Sequence, residues 1–317
     1  MSRRTITAVL LALGVWLLAG CSTLPAALGG PTPVPTAPID PYNAAVATAE
    51  AVGDAAARAT AYYERGNIQL DRGELEPAIA DYDQAIALDP SNARAFHNRG
   101  LAHAVLGQID QALAAYGNAI RLDPTYIRAY RNRLILLEQR GDLAAMAADY
   151  DRLAELDPER AADYRYREGS ARYGLRDRDG ARAAFDAALQ ANPQHVDALY
   201  ERGLLQFADG KPTEAIRDFD AALRLSPRAA NAYYARGLAY SASGEHARAL
   251  SDFTRALDTQ PDNPAALIGR ASAALALGRA DEARADLTRL DSLELDDLLQ
   301  RAAETLRQQL GDAAQSP

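Results

Sequence analysis

Ala59 to Pro90 reads ATAYYERGNIQLDRGELEPAIADYDQAIALDP, and Val196 to Pro227 reads VDALYERGLLQFADGKPTEAIRDFDAALRLSP. Overlaid, both keep an arginine and a glycine in the first half and an Ala-Ile pair, an aspartate and a ring in the second. The register returns throughout the chain, with closing prolines at Pro90, Pro124, Pro158, Pro193, Pro227 and Pro261, spaced by 34, 34, 35, 34 and 34 residues. Counting from 31 residues before each proline gives seven units: 59–92, 93–126, 127–161, 162–195, 196–229, 230–263 and 264–295. Such a period marks an architecture in which no unit buries its apolar face alone and stacking supplies the core.

The aligned columns carry packing information. The fourth holds Tyr62, Phe96, Tyr130, Arg165, Leu199, Tyr233 and Leu267; the eighth holds Gly66, Gly100, Leu134, Gly169, Gly203, Gly237 and Ala271. The twentieth is alanine except for Met146, and the twenty-fourth is Tyr82, Tyr116, Tyr150, Phe185, Phe219, Phe253 and Leu287. A glycine on one helix is expected to face an alanine on the next, with one ring per unit filling the seam. Gly73, Gly107, Gly141, Gly210, Gly244 and Gly278 punctuate the helices as αL caps, and unit 4 has Arg176 there. These residues resemble the tetratricopeptide repeat, a helix-turn-helix of 34 residues, over about residues 59 to 295. The resemblance implies an all-α fold: an α-solenoid, a right-handed superhelix of about seven such repeats with a C-terminal capping helix.

The seventh column, usually leucine in that family, is arginine in six units, and the twenty-third is aspartate in five. The coincidence predicts inter-helix pairs Arg65–Asp81, Arg133–Asp149, Arg202–Asp218, Arg236–Asp252 and Arg270–Asp286, structural rather than catalytic. Unit 3 enlarges three small columns at once (Leu134, Met146, Leu153), so its helices should sit further apart or slide. Unit 4 is the most divergent, with Arg165, Glu168, Arg172 and Arg176 and an extra residue beside it. Its preferred register keeps Gly169 in the glycine column; a shift by one would put Tyr164 and Arg167 in the ring and arginine columns. Units 3 and 4 are the expected place of a bend or a division. At the ends, Asp40-Pro41 suits an N-cap and N1 pair opening a helix over 41–58, and leucines recur at helical spacing over 296–317 toward Gly311, read as a C′ glycine.

The first forty residues read differently. Arg3 and Arg4 precede an apolar stretch from Ile6 to Ala19 that falls short of the roughly 20 residues of a membrane span. It ends in Leu18-Ala19-Gly20-Cys21, which resembles a bacterial lipobox. The resemblance implies a signal peptide over 1–20, diacylglycerol on Cys21 and export. The protein would be lipid-anchored to a bacterial membrane: the outer membrane facing the periplasm in a Gram-negative host, otherwise the outer face of the plasma membrane. Residues 21–40, rich in Pro, Thr, Ala and Gly, read as a tether.

Composition narrows function. A formal net charge of −9 and no basic run argue against nucleic acid. One cysteine excludes an internal disulfide or a cysteine-rich zinc site. The four histidines fall in different columns, no nucleophile elbow surrounds Ser170, and Pro212 follows the sole lysine, Lys211. No enzyme, metal, cofactor or small-molecule substrate is expected. What remains is a surface. The family's groove lies on the second, fifth, ninth and twelfth columns, which here bring Tyr63, Asn67, Leu70, Arg94, His97, Arg128, Arg131, Tyr166, Tyr173, Tyr200, Phe207 and Tyr234. Rings and guanidinium groups are efficient anchors for a protein or peptide partner; the rings' other use is packing between neighbouring units. The paired basic and asparagine clamp of some cytosolic members is not recognised in the first two units, where Thr60, Tyr63, Asn67, Arg94 and His97 occupy the columns. The expectation is an anchored, non-catalytic adaptor of the cell envelope; the alternative is a structural spacer or self-assembling subunit with an empty groove.

Overall fold

The computed structural model describes residues 39–315. Cys21, the stretch before it read as a signal peptide and most of the stretch after it read as a tether lie outside those residues. Sixteen α-helices follow one another with no strand among the described residues. They are α1 (Asp40–Val52), α2 (Ala55–Asp71), α3 (Leu75–Leu88), α4 (Ala93–Val105), α5 (Ile109–Leu122), α6 (Ile127–Arg140), α7 (Leu143–Leu156) and α8 (Ala161–Gly174). Then come α9 (Arg178–Ala191), α10 (Val196–Ala208), α11 (Pro212–Leu225), α12 (Ala230–Ala242), α13 (His246–Thr259), α14 (Pro264–Ala276), α15 (Ala280–Arg289) and α16 (Asp297–Gln315). The described chain divides into two compact units, one ending at Leu175 and one starting at Arg176, so the boundary falls between the two helices of repeat 4.

Helix starts and stops follow local chemistry. Asp54, Asn92, Asp142, Asp177, His195 and Asn263 accept from backbone N–H groups of the following first turn. The six turn glycines have φ of 68 to 78°. Arg176 takes the same left-handed conformation at φ 64°, where an L side chain is strained. It stands where the preferred register of repeat 4 puts the glycine. The 35-residue repeat 3 ends in a 3₁₀ turn, Pro158–Arg160, directly before α8.

Core packing changes one expectation. The glycine of the eighth column faces a ring rather than an alanine: a Cβ on Gly203 would stand 2.7 Å from Phe219 Cε1, and one on Gly66 2.9 Å from Tyr82 Cε1. Tyr82, Tyr116, Phe219 and Phe253 are 0% exposed, each stabilising its hairpin by about 2–3 kcal/mol. In repeat 3, Leu134 stands in the glycine column, and α6 and α7 run close over a shorter stretch than α2 and α3 or α4 and α5. There α7 packs closely along α8 instead.

The chain ends also differ from expectation. The first helix stops at Val52 and not near Arg58, because Gly53 adopts φ 76° and Asp54 caps a new helix. The inner helix of repeat 1 therefore starts at Ala55, four residues before the repeat boundary at Ala59. Ile39, not Asp40, is the N-cap of α1. At the other end Asp296 accepts from the Leu298 and Leu299 N–H groups, and α16 covers α14 and α15 through Ala303, Leu306 and Leu310. Gly311 lies inside α16 and does not terminate it. No described helix is long and apolar enough to cross a membrane.

Candidate protein-binding surface

Five arginine–aspartate pairs join the two helices of repeats 1, 3, 5, 6 and 7. Arg65 Nε and Nη2 donate to Asp81 at 2.7 and 2.7 Å, Arg202 to Asp218 at 2.7 and 2.7 Å, Arg236 to Asp252 at 2.7 and 2.7 Å, and Arg270 to Asp286 at 2.9 and 2.6 Å. Arg133 makes the same fork to Asp149. These aspartates are buried, 1 to 6% exposed, and the guanidinium fork offsets the cost of their desolvation. The third guanidinium nitrogen reaches back sixteen residues to the preceding repeat: Arg202 to Asp186 (2.7 Å) and Arg236 to Asp220 (2.6 Å). Arg99, in a repeat with no aspartate in the partner column, keeps only that backward bond, to Asp83 at 2.6 Å. In repeat 4 Arg165 bonds Asp151 and Glu168, carrying the charge one turn earlier. The ladder is internal and leaves no arginine of the seventh column without an ion pair in these repeats.

The inner helices present the candidate surface. In the N-terminal unit a hydrogen-bond chain runs along α2, α4 and α6. Tyr82 OH donates to Asn67 Oδ1 (3.0 Å), Asn98 Nδ2 donates to the same oxygen (2.8 Å), Asn98 Oδ1 meets His97 Nδ1 (2.9 Å), and Asn132 Nδ2 meets His97 Nε2 (3.1 Å). With Asn132 donating, Nε2 is the acceptor and Nδ1 carries the proton. Burial pushes the His97 pKa down, against the Asn98 hydrogen bond, so the ring is neutral at pH 7. His97 lies 4.9 Å from the Tyr126 ring and 5.6 Å from Tyr116.

Above this floor the side chains differ in access. Tyr63 is half-buried, 6.2 Å from Tyr82, and Leu70 is half-buried against a core cluster. Arg131 is tied to Tyr164 OH (2.9 Å) and Asp157 (2.6 Å). Arg94 and Arg128, in the first turns of α4 and α6, are exposed and have no ion pair among the described residues. Both act electrostatically on half-buried Tyr126, as does Tyr63, while burial raises that phenol. Tyr166 is half-buried and Tyr173 is 44% exposed.

In the C-terminal unit Tyr200 is half-buried against Phe219 at 6.0 Å. Beside it Glu201 is pushed up to about 7 by burial and then by Asp197. Three residues read as open anchors are corrected here: His97, Phe207 and Tyr234 are only 5, 6 and 4% exposed. Tyr234 packs 5.8 Å from Phe253, so the fifth-column ring meets the twenty-fourth-column ring of its own hairpin. Asn98, Asn132, Tyr126 and Glu201 were not singled out from sequence, and Tyr164 only as the ring of the alternative register of repeat 4. Asparagine fills the sixth column in only two repeats, and no column pattern draws attention to it.

Profiles described as TPR repeat and tetratricopeptide repeat match residues 66–107, 93–126, and 166–230, 206–250 and 234–296. No curated protein matches the chain. Among solved structures, the C-terminal part of a TPR repeat-containing protein from Cytophaga hutchinsonii is similar, with TM-score 0.56, 15% identity, and 76% of this chain and 98% of that one covered. A tetratricopeptide repeat protein from Parabacteroides merdae is similar with 22% identity, covering 81% of this chain and 98% of that one, at TM-score 0.41. With periodic helices, turn glycines and matching profiles in agreement, the chain belongs to the tetratricopeptide-repeat family.

Proposed function

We propose that this protein is a non-catalytic adaptor, exported and held to a bacterial membrane by lipid on Cys21, whose N-terminal unit grips an acidic segment of a partner protein. The observation that carries the binding reading is the pair Arg94 and Arg128. Nearby Arg99, Arg131 and Arg133 are each neutralised by an aspartate. Arg94 and Arg128 instead stand exposed and both act on Tyr126, as does Tyr63, and they do so in a chain of net charge −9. Two exposed guanidinium groups with no ion pair among the described residues, acting on the Tyr126 phenol and standing with an asparagine–histidine hydrogen-bond chain on the same inner helices, suit carboxylates on an extended segment or helix. The hydrogen bonds of the floor hold Asn67, Asn98, His97 and Asn132 in place before a partner arrives, which lowers the ordering that association would cost.

The test is capture of envelope proteins by the wild-type chain and by an Arg94→Ala/Arg128→Ala variant with unchanged circular dichroism. The variant is expected to lose its partner by at least tenfold, and wild-type capture is expected to weaken between about 0.15 and 0.5 M salt. Equal capture by both would remove the binding reading and favour a spacer. The anchor is tested separately: Cys21→Ala is expected to leave the membrane fraction, and a cleaved variant that stays membrane-bound would refute lipid attachment.

A further inference from the structure

In four repeats a ring of the fourth column lies under the arginine of the seventh. The guanidinium carbon stands 5.6 Å from the Tyr62 centroid, 5.2 Å from Phe96, 5.7 Å from Tyr130 and 5.5 Å from Tyr233. Two of these phenols also donate to the carbonyl of the proline that closes the preceding repeat: Tyr130 to Pro124 (3.4 Å) and Tyr233 to Pro227 (3.3 Å). Repeat 5 keeps every part of this arrangement except the ring. Arg202 holds Asp218 and Asp186 as Arg236 holds Asp252 and Asp220. Leu189 and Pro193 stand where repeat 6 finds Leu223 and Pro227, and the ring position is Leu199. There a cavity of about 360 Å³ opens to solvent, lined by Asp186, Leu189, Gln190, Pro193, Leu199 and Arg202.

We propose that this cavity is a socket for a tyrosine side chain supplied by a partner polypeptide. Its ring lies against the Arg202 guanidinium and its hydroxyl donates to the Pro193 carbonyl. One repeat later Tyr233 lies against Arg236 and donates to Pro227, whereas here Leu199, 5% exposed, takes the ring's column and leaves the face beside Arg202 open. Asp186 and Asp218 already neutralise Arg202, so the socket selects a neutral phenol over an anion. Residues 1–38 and 316–317, which lie outside the described residues, contain no Tyr or Phe. The socket is lined by residues of the C-terminal unit, whereas Arg94 and Arg128 belong to the N-terminal one.

The test is NMR of the intact chain titrated with N-acetyl-L-tyrosinamide, with N-acetyl-L-leucinamide as control. Saturable shifts are expected at Leu189, Leu199 and the Arg202 Nε–H with tyrosinamide only, with Kd on the order of millimolar for so small a probe. Leu199→Tyr should abolish those shifts and raise Tm by about 2–4 °C, as a ring completing the repeat. No saturable shift in the wild type, equal shifts with leucinamide, or shifts undiminished in Leu199→Tyr would each overturn the proposal. So would a Leu199→Tyr chain that does not fold, since the space would then reject a ring.

Discussion

Asp149 is 1% exposed and takes both donors of the Arg133 fork. Burial pushes its carboxyl up while the guanidinium pulls it down. The hydrogen bonds raise the arginine side of the same arrangement at Arg65, Arg202 and Arg270. The partners are unequally covered: in Arg202–Asp218 the arginine side chain is 23% exposed and the aspartate 8%. Arg202→Ala strands a buried carboxylate and should cost about 3–5 kcal/mol. Asp218→Ala leaves a guanidinium that keeps Asp186 and water, at about 1–3 kcal/mol. Urea denaturation of the two variants checks the order, which a surface pair would not show. Glu201 gives a pH signature. Its folded pKa of about 7 lies above the ordinary 4.5, so its favourable contribution is present below pH 4.5 and is lost as pH rises through 7. Glu201→Gln should therefore stabilise the fold by about 1–3 kcal/mol at pH 8 and leave it unchanged near pH 4; a pH-independent difference would contradict the burial of that carboxyl.

At the scale of helices, the glycine columns have two different physical reasons. Gly203 exists because Phe219, 0% exposed, occupies the place of its Cβ at 2.7 Å. Gly203→Ala should cost about 1–3 kcal/mol by overpacking. The turn column exists for φ > 0, and there Arg176 is the exception at φ 64°. Arg176→Gly should raise stability by about 0.5–1 kcal/mol; thermal unfolding showing no gain would mean that the Arg176 side chain repays its strain elsewhere. The 34-residue period made each hairpin legible, because stacked helices impose the same columns on every unit. The break at Gly53 was hidden by an alanine-rich run whose helix propensity is high on both sides, although the Gly53-Asp54 pair carries the stop and start chemistry. Gly311 misled for the converse reason: glycine also occurs inside a helix whose other face is well packed.

For the whole molecule, two compact units meet the chain boundary at 175/176, and their inner helices differ in charge. The N-terminal unit offers Arg94 and Arg128 with no ion pair among the described residues, whereas the C-terminal unit sets Asp197 and Glu201 beside Tyr200. The columns that line the inner helices were readable from the repeat, since helical spacing fixes which residues share a face. Access was not. Tyr63 and Tyr234 meet the twenty-fourth-column ring of their own hairpins at 6.2 and 5.8 Å, yet Tyr234 is 4% exposed and Tyr63 half-buried, so the column alone does not set access. The most direct measurement is photo-crosslinking in living cells from position 63, beside Arg94 and Arg128, with mass spectrometry of the adducts and position 248 on an exposed outer helix as control. A single protein crosslinked through an acidic segment from 63, lost on Arg94→Ala/Arg128→Ala and absent from 248, is the expected result. No adduct at 63, or the same adducts from both positions, would contradict the claim that this surface grips a partner.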